Sequence, residues 1–136
     1  MADPDGDLLD GLLDRIDAIV DSDTVGVVAA ELNPQPDRGV AVTLGASSDS
    51  DRNPVGVRMI QVRTRGDQDF RTVNALAHSI FTVLHGLSGI RLGSIVLAEL
   101  TRQNFVLLGR DEHGRWERSD NYLAHVAYQT PANLAG

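Results

Sequence analysis

The four histidines are the residues of this chain best suited to metal binding or proton transfer, and their placement argues against both roles. His78 and His85 stand seven positions apart in a stretch with helical periodicity, so their rings would lie about 10 Å apart along the axis. Helical metal pairs need spacings of three or four. His113 falls between Glu112 and Gly114 in a turn-like segment, while His125 shares a strand face with Leu123 and Ala127. Ser47, Ser79 and Ser94 could each be combined on paper with a histidine and one of fifteen aspartates, but none stands in a Gly-x-Ser-x-Gly elbow. A phosphate-cradling Gly-x-x-x-x-Gly-Lys-Ser/Thr loop is impossible without lysine. Asp49 and Asp51 alternate like the start of a calcium loop whose glycine and distal glutamate are missing. No catalytic residue, cofactor site or metal site emerges. A non-enzymatic role is expected.

Charge is the remaining carrier of function. All twelve cations are arginine, fifteen aspartates accompany four glutamates, and the net charge is −7. Arginine-only usage fits either a GC-rich coding bias or selection for bidentate donors at interfaces. An acidic chain is poorly suited to gripping nucleic acid, whose affinity comes from neutralised phosphates. Arg63 and Arg65 end the strand-like run 57–65 on one face, just before the break at Gly66-Asp67. They read either as a solvated strand end or as an intersubunit contact that meets carboxylates of a neighbour. Asp10, Asp14 and Asp17, on the acidic side of the first helix, are the matching candidates. Acid on one element and arginine on another is what a head-to-tail ring would use.

The elements that must position these residues follow from periodicity. Residues 7–20 place leucine, isoleucine and valine on one helical side and aspartates on the other, with Gly6 and Gly11 weakening the helix. Residues 25–32 suit a short strand or extended linker. The proline-rich stretch 33–39 suits a turn. A strand is expected at 40–44, an exposed Ser/Asp-rich loop at 46–53, and an antiparallel partner strand at 57–65. Residues 69–87 carry apolar residues at spacings of three and four, the pattern of a helix packed on a core. Strands are expected at 90–100, 105–108 and 116–128, the last entered through a turn at 111–114, with a frayed tail from 129. The fold class is therefore α+β: a mostly antiparallel sheet flanked by two amphipathic helices, in the order helix, two strands, helix, about three strands.

Length and composition agree with one domain over residues 1–136, with frayed ends at about 1–5 and 129–136. A chain of this size buries roughly two-thirds of its unfolded surface. There is no cysteine, and no apolar run approaches the roughly 20 residues that span a bilayer. The N-terminus is acidic where a secretory signal would be basic. No membrane association and no export are expected.

The ordered series of acidic helix, Leu32-Asn33-Pro34-Gln35-Pro36-Asp37, Val40-Ala41-Val42-Thr43-Leu44-Gly45, the 57–65 run with Gln61-Val62-Arg63-Thr64-Arg65, helix, Leu108-Gly109-Arg110-Asp111-Glu112-His113-Gly114-Arg115 and Asn121-Tyr122 resembles the tail terminator and minor capsid proteins of long-tailed bacteriophages. The resemblance spans nearly the whole chain. It implies a structural virion protein of the tail and neck region, assembled in the host cytoplasm, without cofactor or bond chemistry. Its partners would be copies of itself in a ring, usually of six, the tail tube protein, and the head–tail connector or stopper protein. DNA would pass the lumen without specific binding. The resemblance points to two docking projections: the 46–53 loop with Ser48, Asp49, Asp51 and Arg52, and the turn with Arg110, Asp111, Glu112 and Arg115. Arg63 and Arg65 stay interface candidates. Alternatives are a head-completion stopper or adaptor protein and a small ligand-binding domain lined by Tyr122, His125 and Trp116.

Overall fold

The computed structural model describes residues 3–50 and 55–128. Helix α1 spans Pro4–Asp17, and its N-cap Asp3 accepts a hydrogen bond from the Gly6 amide at 3.0 Å. Proline in the first turn needs no amide partner, so the helix starts three residues ahead of the Asp7 expected from periodicity. Pro4 and Asp5 therefore belong to the helix rather than to a frayed end. Leu8, Leu12 and Ile16, four apart, are its buried stripe. Gly11 has a packing reason: a Cβ there would lie 2.7 Å from a methyl of Leu92, so a side chain at this position would have to push Leu92 aside.

Among the described residues six strands form one sheet in the order β1-β2-β3-β6-β5-β4. They are β1 (Val25–Ala29), β2 (Arg38–Asp49), β3 (Val55–Arg65), β4 (Ser88–Leu92), β5 (Ile95–Arg110) and β6 (Trp116–Tyr128). Only β1 and β2 run parallel; every other neighbouring pair is antiparallel. Helix α2, Phe70–Leu84, opens on Asp69, whose carboxylate accepts from the Arg71 amide at 3.0 Å, and buries Val73, Ala77, Ile80 and Leu84.

Both helices cover the same face of the sheet. Register explains the core: Val42 pairs Val62, Leu44 pairs Ile60, and Ile60 in turn pairs Tyr122. Side chains alternate along each strand, so these residues meet Leu8, Leu12, Ile16, Ile80 and Leu84 in one apolar cluster. The opposite face carries Met59, Gln61, Arg63, Asn121, Leu123 and His125 and has no helix against it. It is the open face.

Two expectations change. Residues 46–49 continue β2 instead of starting a loop: Ser47 pairs Arg58 and Asp49 pairs Gly56 after a bulge at Leu44/Ser47. The buried Arg58 guanidinium accounts for this, donating to the Ser48 carbonyl at 3.2 Å and to Asp49 at 2.7 Å. Cross-strand bonding outweighs the loop preference of serine and aspartate. The stretch 90–100 is also divided differently. A turn at Gly93-Ser94 separates β4 from one long β5, which absorbs residues 105–108. Asp7 fixes that turn, accepting from the Ser94 amide at 2.8 Å and its hydroxyl at 2.5 Å.

Candidate assembly surfaces

Arg63 and Arg65 leave β3 on the same face and end in different environments. Arg63 is exposed and donates Nε to Glu117 on β6 at 2.9 Å. Arg65 is only 5% exposed. Its guanidinium turns into the 33–37 loop and donates to the carbonyls of Asn33 at 2.6 Å, Asp37 at 2.7 Å and Pro36 at 2.9 Å. The expectation of a paired arginine surface is thus revised: Arg65 clamps a loop of its own chain, and Arg63 alone faces outward. Burial, then the neighbouring Arg115 charge, push the Arg65 guanidinium below its ordinary pKa. At any working pH it stays charged.

Arg115 is the second clamp. Its Nη1 donates to the Pro34 carbonyl at 2.7 Å and to Asp37 at 3.2 Å, while Nε donates to Asp111 at 2.9 Å. Burial opposes its charge, but Asp111 and Asp37 outweigh burial and raise its pKa. As an outward docking residue Arg115 is also revised, because it is buried. The loop's proline-rich backbone has few internal hydrogen bonds to offer its carbonyls. Two guanidiniums supply the donors instead.

The 111–115 turn is organised by Asp111, whose Oδ1 accepts from the amides of His113 and Arg115, both at 2.9 Å. Gly114, at φ +78°, supplies the left-handed residue. Glu112 and His113 project into solvent at the tip, and exposed Arg110 lies 5.5 Å from the Trp116 ring centre. The other expected projection is the β2–β3 hairpin. Ser48 and Asp49 are exposed at its end; Asp51 and Arg52 lie outside the described residues. Register places the two projections apart: Val55 pairs Ala127 at one end of β3, and Arg65 pairs Glu117 at the other. About 33 Å of extended strand separates them.

Asp10, Asp14 and Asp17 are exposed and make no ion pair among the described residues. Among the described residues the most buried carboxylate is instead Asp120. It accepts from Arg118 Nε at 2.7 Å, Arg118 Nη2 at 3.1 Å and Arg102 Nη1 at 3.2 Å. Arg118 lies 3.8 Å over the Phe105 ring, and Arg102 stacks on both Phe81, at 4.0 Å, and Phe105, at 4.6 Å. His85 belongs to the same assembly, stacked 4.6 Å from Phe81 and accepting on Nδ1 from the Arg102 amide at 3.0 Å. Sequence reading missed this network. Its signal was the Arg118-x-Asp120 spacing, which sets both side chains on one strand face.

The uncovered apolar residues of β5 were missed as well. Phe105, Val106, Leu107 and Leu108 are exposed by 52, 52, 43 and 46%. Strand β4 reaches only residues 95–99, so residues 103–110 form a bare sheet edge among the described residues. Four consecutive apolar residues break the alternation of a half-buried strand, and that signal was readable in the sequence.

Tyr122, His125 and Trp116 do not converge on one ligand site among the described residues. Tyr122 is buried under the helices, with burial and the Asp120 charge pushing its phenol well above the ordinary value. His125 points to the open face, and Trp116 lies at the far end of β6. Among the described residues no group of three or more histidines, aspartates or glutamates could hold a metal ion. Among the same residues no helix is long and apolar enough to cross a membrane.

A family model described as bacteriophage tail terminator protein matches residues 11–128. The chain belongs to the bacteriophage tail terminator family. This family is structural and non-enzymatic, so the chain is a virion tail protein with other virion proteins as partners. None of the curated protein sequences matches it. Among solved structures, a chain titled "Virion of native gene transfer agent (GTA) particle" aligns with a TM-score of 0.57 and 19% identity, over 74% of this terminator and 78% of that chain. At that identity the likeness concerns the fold alone.

Proposed function

We propose that this terminator forms a ring of six copies that caps the tail tube, ends its polymerisation and presents its other surface to the head–tail connector. The observation that carries the reading is the separation of the two projections. The β2–β3 hairpin and the 111–115 turn leave opposite ends of the same strands. With strands set roughly along the tail axis, one projection would meet the tube and the other the connector. Ser48 and Asp49 would serve at one surface, Arg110 and Glu112 at the other, with Asp111 holding the turn rather than facing the partner. Asp10, Asp14 and Asp17, without an ion pair among the described residues, and the exposed guanidinium of Arg63 are among the charged groups that could meet neighbouring copies. DNA would pass the lumen unbound, in keeping with a net charge of −7.

Native mass and electron microscopy test this at micromolar concentration, alone and with tubes assembled from the cognate tube protein. The expected result is a six-fold mass or ring-shaped particles, and tubes that stop growing once capped. Monomer in both samples, with tube growth unaffected, would overturn the ring reading.

A further inference from the structure

Among the described residues the sheet ends on β1 at one side and on β4 at the other, and beyond β4 residues 103–110 of β5 form a further bare edge. Bare edges invite strand addition, and proteins normally blunt them with charge, proline or a covering element. This β5 edge carries bulges at Arg102/Asn104 and Leu107/Gly109, yet it still shows four adjacent apolar side chains, each 43–52% exposed. Phe105 is held between the guanidiniums of Arg118 and Arg102 while half its surface stays bare. An aromatic fixed in position and left unburied has the character of an interface anchor.

We propose that β5 of one copy pairs with β1 of the next, so that the sheet runs on from subunit to subunit. This placement rests on the ring reading above. Strand direction supports it: β1 runs parallel to β2, and each step from β2 through β3 and β6 to β5 reverses direction. Strand β5 therefore opposes β1. In a ring whose axis lies near the strand direction, all copies keep the same sense, so the junction is antiparallel, the more stable arrangement. The five-residue β1 fits within the bare portion of β5.

Charge supports the same orientation. Antiparallel pairing sets the Arg110 end of β5 against the entry to the neighbour's β1, where Asp21 and Asp23 are exposed. The Arg102 end meets the exit, where Glu31 is exposed. Arg110 thus faces acids, whereas Arg102 is already paired with Asp120 of its own chain. Faces match as well: Val106, opposite Ser119, lies on the open face, as does Val28, opposite Ala41. Directly paired residues share a face, which makes Val28 and Val106 the natural cross-strand partners.

Because the chain has no cysteine, the junction can be tested by cross-linking. Val28→Cys with Val106→Cys in one chain, joined by oxidation or a short bis-maleimide, should give a denaturing-gel ladder that rises to the ring number. Either single variant should give no ladder, and Val28→Cys with Asn104→Cys covers the register shifted by two. Far-ultraviolet circular dichroism and melting confirm that each variant keeps the fold. Arg110→Glu should abolish ring mass, and adding Asp21→Arg with Asp23→Arg should restore it. Rings that form with no ladder from either pair would overturn the edge inference and leave the ring reading standing. Monomer alone and with tube protein would overturn both. A cross-link to tube protein instead of to a second copy would also overturn it, assigning the edge to the tube.

Discussion

Arg65 donates to the carbonyl of Asn33 at 2.6 Å across 32 positions of sequence, pinning the proline-rich loop to the end of β3. Arg63, two residues earlier on the same face, reaches only Glu117 and stays in solvent. The pair thus divides into a fold residue and a surface residue. Arg65→Ala should cost about 2 to 3 kcal/mol, since it strips donors from several carbonyls that only partly regain water. Arg63→Ala should change stability by less than about 1 kcal/mol, as an exposed ion pair contributes little. Urea unfolding followed through Trp116 separates the two. Equal destabilisation would mean that the loop clamp has been misread.

How much of this was legible in the sequence depends on range. The helical stripes and the β2–β3 pairing are local patterns, and they were readable. Alternation put Arg63 and Arg65 on one face, but it could not say that the loop at 33–37 would fold over one of them. That fact needs the 32-residue contact. Serine and aspartate at 47–49 carry loop propensity, and only Arg58, which joins Asp49 to Asp5 of α1 at 2.7 and 2.8 Å, makes them strand. The uncovered edge of β5 depends on sheet order, since the same four apolar residues would be a core strand if β4 were longer.

Leu84 closes the core stripe of α2 and is fully buried. Leu84→Ala should lower stability by about 2 to 5 kcal/mol through the cavity it leaves. Denaturant unfolding measures it. A cost below about 1 kcal/mol would show that α2 does not pack tightly on the sheet.

Asp120 balances Arg102 and Arg118 in a nearly dry site. Asp120→Asn keeps the shape and removes the charge, leaving two guanidiniums facing each other around Phe105. A loss of about 3 kcal/mol or more is expected, because an uncompensated buried charge costs more than the pair contributes. Thermal melting gives the stability. Loss of protection at the β5 amides in hydrogen exchange would show that the Phe105 anchor had loosened. An unchanged melt would mean that water already solvates the pair.

Acid should weaken the monomer through a small set of aspartates. The Ser94 hydroxyl and amide hold the Asp7 carboxyl below the ordinary aspartate value. For Asp111, burial acts in the opposite direction, but the amides of Arg115 and His113 and the Arg115 guanidinium outweigh it and again lower the pKa. A depressed folded pKa means that the unfolded chain binds protons first as pH falls. The stabilisation is therefore complete above the unfolded value and is lost as pH drops through about 4 and below the folded pKa. From these groups the melting temperature should be flat between about pH 5 and 8 and decline beneath. Asp111→Asn should lower the plateau and flatten part of that decline. If the acid decline of the variant matched that of the wild type, Asp111 would not be one of the groups responsible.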